Sequence, residues 1–288
     1  MKLYAPSTIE AIKEKHRFQL SKSLGQNFIT DKHVIERIVE GADPSEKDLV
    51  IEIGPGIGVL TAEAAQQAAK VIAIEIDSKL IPILGETLAE YDNVEVILKT
   101  DLNGIIDEQR QLGNFTGDVK IIGNLPYYIT TPIIMHILEN SIHAESITVM
   151  MQKEVADRIK ASPGNKTYGA ISAAVQYYCE VEQVISVPKE VFVPRPKVDS
   201  AVLKLTIRKE TPVDLIDEKA FFACIKAGFG QRRKTLLNSL TGTYGLSKDE
   251  IRTILEKAGI DPVRRAETLD MNEFADIANG VASAKQTI

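Results

Sequence analysis

The sequence predicts an α/β protein in which a mostly parallel, helix-covered sheet is followed by a small all-helical domain. Three observations carry this expectation. Short β-branched runs alternate with helical stretches over residues 49–151. A Pro-rich turn joins two further runs at 180–187 and 200–208, close enough for a hairpin. After Arg208 the strand pattern stops and only helical periodicity remains. A chain of 288 residues has room for one large and one small domain, and the change of pattern places them at 1–208 and 209–288.

The strands read as LVIEI (49–53), VIAIEI (71–76), VEVIL (94–98), VKIIG (119–123) and SITVMM (146–151), each bounded by Gly, Pro, Asp or Asn. Helices are expected near 58–69, 78–90, 132–140 and 168–178, and another begins near Asp31. In the second domain helices are expected at 217–229, 231–241, 247–258 and 270–280. Ser247 and Glu250 form a capping box, and Gly259 stops that helix. Seven strands, the last inserted antiparallel by the closing hairpin, fit the Rossmann-like sheet of the class I methyltransferases.

Composition narrows the function classes. The chain is 44% hydrophobic and 26% charged, which supports a folded core. No run of 18 apolar residues suggests a membrane span, and the charged N-terminus lacks the apolar stretch of a secretory signal. The two cysteines, Cys179 and Cys224, and the four histidines show no metal-ligand spacing. No metal site and no disulfide are expected, and the chain reads as cytoplasmic. With no evident dimer surface, a monomer is expected.

The formal net charge is −6 but unevenly spread. Residues 1–25 carry five Lys/Arg, among them Lys22, against Glu10 and Glu14. Residues 219–248 hold six Lys/Arg and no acid. Either a solvated helical face or a footprint for an anionic partner explains this, since local field matters more than the total.

The loop VIEIGPGIGVLT (50–61) puts Gly54, Gly56 and Gly58 between the first strand and a helix, where backbone can approach a ligand closely. Its spacing lacks both the dinucleotide pyrophosphate fingerprint and the Lys of a P-loop. Glu75 ends the second strand and is placed to accept from ribose hydroxyls. Asp101 follows the third strand and is placed to take an adenine amino group. Either carboxylate alone reads as a solvated strand end. Three such features at successive strand ends indicate an adenosine-bearing ligand without a phosphate cage, as S-adenosyl-L-methionine is.

The fourth strand ends in Asn124-Leu125-Pro126-Tyr127, which resembles the tetrapeptide of the N6-adenine methyltransferases. IIGNLPYYITTPI, SLGQNFITD, MMQKEVADRI, FVPRPKVDSAV and QRRKTLLNSL, in this order, narrow the likeness. From about residue 16 to 280 the chain resembles the KsgA-type small-subunit ribosomal RNA adenine N6,N6-dimethyltransferases, within the rRNA adenine dimethylase family. The resemblance implies S-adenosyl-L-methionine as methyl donor. It implies dimethylation of two adjacent adenosines in the 3′-terminal hairpin of 16S rRNA, within the small ribosomal subunit, and a part in subunit biogenesis.

The chemistry suits these residue types. The exocyclic N6 of adenine is a poor nucleophile because its lone pair is delocalised into the ring. The Asn124 side-chain oxygen and the Leu125 carbonyl would accept its two hydrogens and favour a more tetrahedral nitrogen. Pro126 would fix the turn, and Tyr127 would stack on the flipped base. The resemblance further places Phe192 on the base's other face, and folds Gln26, Asn27 and Ile29 over the donor. There Asn27 would hydrogen-bond it and Ile29 would give a backbone contact, where the family commonly has Leu. Lys226, Arg232, Arg233 and Lys234, with the basic N-terminal arm, are the expected RNA-phosphate contacts. The resemblance suggests no role for Lys166–Gly169.

Overall fold

A computed structural model of the chain describes residues 1–18, 26–98 and 101–286. Lys22 of the basic arm and Ser23–Gly25 of the SLGQN motif lie outside the described residues.

In chain order the elements are α1 (Pro6–Lys15), β1 (Phe28–Ile29), α2 (Lys32–Ala42), β2 (Leu49–Ile53), α3 (Val59–Ala64), β3 (Lys70–Ile74), α4 (Ile81–Thr87), β4 (Val94–Ile97), α5 (Leu102–Gln111), β5 (Val119–Asn124) and α6 (Thr130–Glu139). There follow β6 (Ser146–Gln152), α7 (Lys153–Ile159), α8 (Ala170–Tyr178), β7 (Cys179–Val187), β8 (Phe192–Val193), β9 (Ser200–Ile207), α9 (Glu218–Gly230), α10 (Leu236–Leu240), α11 (Lys248–Lys257) and α12 (Met271–Gln286). The main sheet has the order β4-β3-β2-β5-β6-β9-β7. Its pairs from β4 to β6 are parallel, and β9 enters antiparallel to β6. This is the expected class I methyltransferase sheet. A second, two-stranded sheet pairs β1 antiparallel with β8, Ile29 lying opposite Phe192. Sequence patterning did not anticipate it, since two residues show no period.

The sheet positions are buried because both faces are covered. On one face α2 and α3 set Val34, Ile35, Ile38, Leu60 and Ala64 against Val50, Val71, Ile122, Met150 and Val202. The Asp31 side chain starts α2 by accepting the N–H groups of His33 (2.9 Å) and Val34 (3.3 Å). Expected helices are shorter where the backbone finds other partners. The stretch 58–69 yields only α3, and the N–H groups of Ala69 and Lys70 turn to the Asp48 carbonyl. The stretch 231–241 yields only α10. Residues 231–234 form a turn, and the Leu236 N–H goes to the Arg264 carbonyl (2.7 Å). The Ser247–Glu250 capping box forms as expected.

The chain separates into two compact units: 1–156 with 180–207, and 157–179 with the chain from Arg208 on. The expected boundary near 208 is therefore one of three crossings, and residues 157–179 change sides. Packing explains this. Tyr168 and Tyr177 are buried in the core of the second unit, with Phe221, Phe229 and Phe274. The Tyr168 ring meets Phe229 edge-on at 5.6 Å, and Tyr177 lies 5.1 Å from Phe221. Both cysteines are free and buried, and burial pushes each thiol up to about 12.

Candidate active site

A cavity of about 560 Å³ opens at the C-terminal ends of β2, β3 and β5, the place where open α/β sheets bind ligands. Its floor and walls include Glu52, Gly54, Gly56, Glu75, Leu102 and Asn124. Gly54, Gly56 and Gly58 all have positive φ, at 72°, 61° and 88°, as a turn this tight requires. At Gly56 a Cβ would also come within 3.1 Å of the Phe28 ring, whereas at Gly54 it would meet nothing. The Gly54 backbone thus lies open to a ligand.

Glu75 is buried at 5% exposure, and its Oε1 accepts the N–H groups of Ile76 and Asp77, both at 2.8 Å. Burial raises its pKa, and those backbone bonds oppose the rise. Glu52, which sequence reasoning missed, is more buried still. Its Oε2 accepts from Thr61 Oγ1 at 2.5 Å, and burial pushes the carboxyl up to about 8, with Glu75 adding to the rise. The available signal was an acid inside an otherwise apolar strand, LVIEI. Two buried carboxyls with no cation beside them among the described residues make this end of the cavity a site for hydroxyl and ammonium donors.

Segment 26–29 lies along the cavity and is tied at both sides. Gln26 Nε2 donates to Asp77 Oδ2 at 3.2 Å, and Asn124 Nδ2 donates to the Asn27 carbonyl at 2.8 Å. Thr30 then gives its N–H (2.8 Å) and its hydroxyl (2.9 Å) to the Val191 carbonyl. A carbonyl can only accept, so the amide end of Asn124 must face Asn27. Its Oδ1 is left as a directed acceptor at the strand end. The Pro126 carbonyl is occupied by the Ile129 N–H and the Thr130 hydroxyl, both at 3.0 Å. The Leu125 carbonyl accepts no hydrogen bond among the described residues. Asn124 Oδ1 and the Leu125 oxygen are therefore open acceptors of the tetrapeptide at the cavity wall.

Other expected site residues are placed differently. Asp101 is exposed and does not line the cavity. Its Oδ1 accepts the Gly104 N–H at 3.1 Å and caps α5, and its neighbour Leu102 reaches the cavity wall instead. Tyr127 is half-buried and off the cavity wall. Its hydroxyl is bonded to Ser200 Oγ at 2.8 Å, and burial raises its pKa. Tyr128, 63% exposed, is on the wall instead, as is Phe28. Phe192 does not line the cavity either: at 3% exposure it is buried in the cluster that holds Val34 and Ile35, opposite Ile29 in the β1–β8 ribbon. Asn27 and Ile29 both line the cavity.

The basic residues also divide. Lys226, Arg233 and Lys234 are exposed and hold no ion pair among the described residues. Arg232 is committed within the second unit, with Nη2 donating to the carbonyls of Lys166 (2.8 Å) and Tyr168 (2.9 Å). In the N-terminal arm, Lys13 pairs with Glu10 at 2.7 Å and Lys15 with Glu86 at 2.6 Å. His16 holds the second Glu86 oxygen at 2.9 Å. Lys15, then His16, lower the Glu86 pKa. Lys15 and His16 thus fasten the end of α1 to α4, and Lys13 is paired within α1.

Among the described residues no cluster of His, Cys, Asp or Glu is arranged to hold a metal, and no helix is long and apolar enough to cross a membrane.

Comparison with known proteins agrees with the geometry. The chain is 52% identical to the ribosomal RNA small subunit methyltransferase A of Alkaliphilus metalliredigens, over 98% of this chain and 99% of that one. It is 50% identical to the protein of that name from Clostridioides difficile, over 96% of each. In structure it is similar to a dimethyladenosine transferase from Plasmodium falciparum, with a TM-score of 0.74 at 25% identity, covering 90% of this chain and 98% of that one. It is also similar to the 23S rRNA methyltransferase ErmE, with a TM-score of 0.65 at 25% identity, covering 88% and 99%. The family model described as ribosomal RNA adenine dimethylase matches residues 17–283, and the chain belongs to that family.

Proposed function

We propose that this protein, an S-adenosyl-L-methionine-dependent rRNA adenine dimethyltransferase, acts on N6 of two adjacent adenosines in the 3′-terminal hairpin of 16S rRNA. Its substrate is the small ribosomal subunit, and the reaction belongs to subunit maturation in the cytoplasm, with the enzyme working as a monomer. The observation that carries the reading is the orientation of Asn124, whose amide is fixed on the Asn27 carbonyl so that Oδ1 faces outward as an acceptor.

The cavity fits the methyl donor in size and in donor–acceptor sense. Glu75 and Glu52 suit hydroxyl and ammonium groups, the open Gly54 backbone allows close approach, and Leu102 and Ile76 suit a flat apolar ring. When bound, the donor supplies an electrophilic methyl on a sulfonium, so no strong general base is required. The protein's task is to position N6 and raise its nucleophilicity. In the first transfer Asn124 Oδ1 and the Leu125 carbonyl accept the two N6 hydrogens, and in the second one of them accepts the single hydrogen that remains, which localises the lone pair towards the methyl and stabilises positive charge as it develops. Preorganised acceptors of this kind contribute roughly 3–4 kcal/mol each, and alignment adds a comparable amount. The proton left on N6 is acidic after transfer and departs to solvent. Lys226, Arg233 and Lys234 would hold RNA phosphates, a contact that positions without reading sequence.

The test is transfer of labelled methyl groups to small subunits lacking the modification, with large subunits in parallel and nucleoside digestion of the product. N6,N6-dimethyladenosine only from small subunits is the expected result. Label in large-subunit RNA would move the substrate to 23S rRNA. No label, with donor binding intact, would leave a subunit-binding factor.

A further inference from the structure

The motif QRRK suggests three equivalent cations, but the structure assigns them unequal work. We propose that Arg232 is a positioning residue that clamps the loop 162–168, and that the loop's Lys166 joins Arg233 and Lys234 as an RNA-phosphate contact. The Lys166 part rests on the proposed function, while the clamp stands on geometry alone.

The loop is fastened at three points inside the second unit and braced once within itself. Arg232 Nη2 bridges the carbonyls of Lys166 and Tyr168, at 2.8 and 2.9 Å. The Gly164 N–H donates to the Glu267 carbonyl at 2.7 Å, and Gly164 has φ +82°. Asn165 Oδ1 accepts the Thr167 N–H (3.0 Å) and hydroxyl (2.9 Å). Tyr168 closes the loop as a buried anchor at 2% exposure. Arg232 also has Nε 3.9 Å from Glu267 Oε2, so part of its charge is already countered.

A guanidinium is suited to this work. Its planar fork carries five donors, and one nitrogen can satisfy two carbonyls that would otherwise compete for water. The outcome is a loop tip whose backbone is bonded to the Arg232 side chain, so Lys166 is tied to the residue that directly precedes Arg233 and Lys234. Lys166, Arg233 and Lys234 are all exposed, and none holds an ion pair among the described residues. Three exposed cations without ion pairs, on two turns joined through Arg232, are better available to a polyanion than one cation already bonded to the protein's own backbone.

The experiment combines two readouts on the full-length protein. The first needs no RNA. Arg232→Ala should lower the melting temperature by about 2–6 °C and speed tryptic cleavage after Lys166 at least about tenfold, as expected for a released loop. Arg232→Lys should rescue part of both, and Arg233→Ala should change neither. The second is binding to unmodified small subunits across a KCl series. Lys166→Ala and Arg233→Ala should each reduce the slope of log K against log[salt] by about 0.7–0.9, and together by twice that. Arg232→Ala combined with Lys166→Ala should fall no further than Lys166→Ala alone, because a clamp acts through the residue it positions.

Additive slope loss for Arg232 and Lys166, with unchanged melting and cleavage in Arg232→Ala, would overturn the clamp. An unchanged slope in Lys166→Ala would overturn the phosphate contact. A wild-type protein that fails to bind small subunits would sink the proposed function and the phosphate contact together, with melting and cleavage still deciding the clamp.

Discussion

The cavity of the first unit and the basic turn of the second handle polar groups in opposite ways. At the cavity, Glu75 is held by the N–H groups of the next two residues and Asn124 is the last residue of β5, so strand ends set their positions, even though the Asn124 amide is bonded to Asn27, 97 residues away. At the turn, Arg232 reaches 64 and 66 residues along the chain for its partners, while its neighbours reach for none among the described residues. The first arrangement makes a short motif a dependable guide to a site. The second shows that a run of like charges carries no information about which member is free.

Variants at four positions sharpen or break this contrast. Phe192→Ala should cost about 3–5 kcal/mol in unfolding free energy, as a large buried ring does. Phe192→Leu should recover most of that in a denaturant titration. If Phe192→Leu is fully stable yet fails to turn over, the ring serves the base and not the core. Asn124→Ala should lower single-turnover methyl transfer about 10²–10³-fold, with donor affinity measured by calorimetry changing far less.

Glu52→Gln bears on the buried acid. The folded pKa is raised to about 8 from an ordinary 4.5, so the folded state keeps a proton that the unfolded state loses over this window. Wild-type stability should therefore fall as pH rises through it, by up to about 1.4 kcal/mol per pH unit. The Gln variant should show a flatter curve in urea melts at pH 5, 6, 7 and 8. Equal slopes would mean that Glu52 is ionised in the fold. Smallest is Ser247→Ala, which removes the α11 capping box and should cost about 1 kcal/mol by thermal melting, without altering methyl transfer.

Much of the sheet was legible because parallel strands covered on both faces read as unbroken apolar runs. β2 through β6, and the pair β7 and β9, lie where β-branched residues cluster. The unread elements lacked a pattern long enough to detect. β1 and β8 have two residues each, and α7 has only Ala156 and Ile159 facing the core. In α5 the helical stripe Leu102, Ile105 and Ile106 ends on Gln109, a buried polar residue bonded to Asn114, and so it reads as a loop. Helix α1 was masked by its charges, although Ile9 and Ile12 are buried. At the site, Gly54, Gly56 and Glu75 were read from their places at strand ends and Asn124 from the likeness of its tetrapeptide, and all four line the cavity. Tyr127 and Phe192 were misplaced because their partners, Ser200 and Ile29, are 73 and 163 residues away. No local pattern encodes a contact of that range.

The interleaving of the two units has an engineering consequence. Cutting the chain after Arg208 would remove Phe221, Phe229 and Phe274 but leave Tyr168 and Tyr177 behind as uncovered aromatic surface. Such a fragment would present a sticky face of its own making, and its solubility would say nothing about the methyltransferase fold. A chimera with a relative's helical unit must exchange residues 157–179 together with everything from 208 on, as one split cassette.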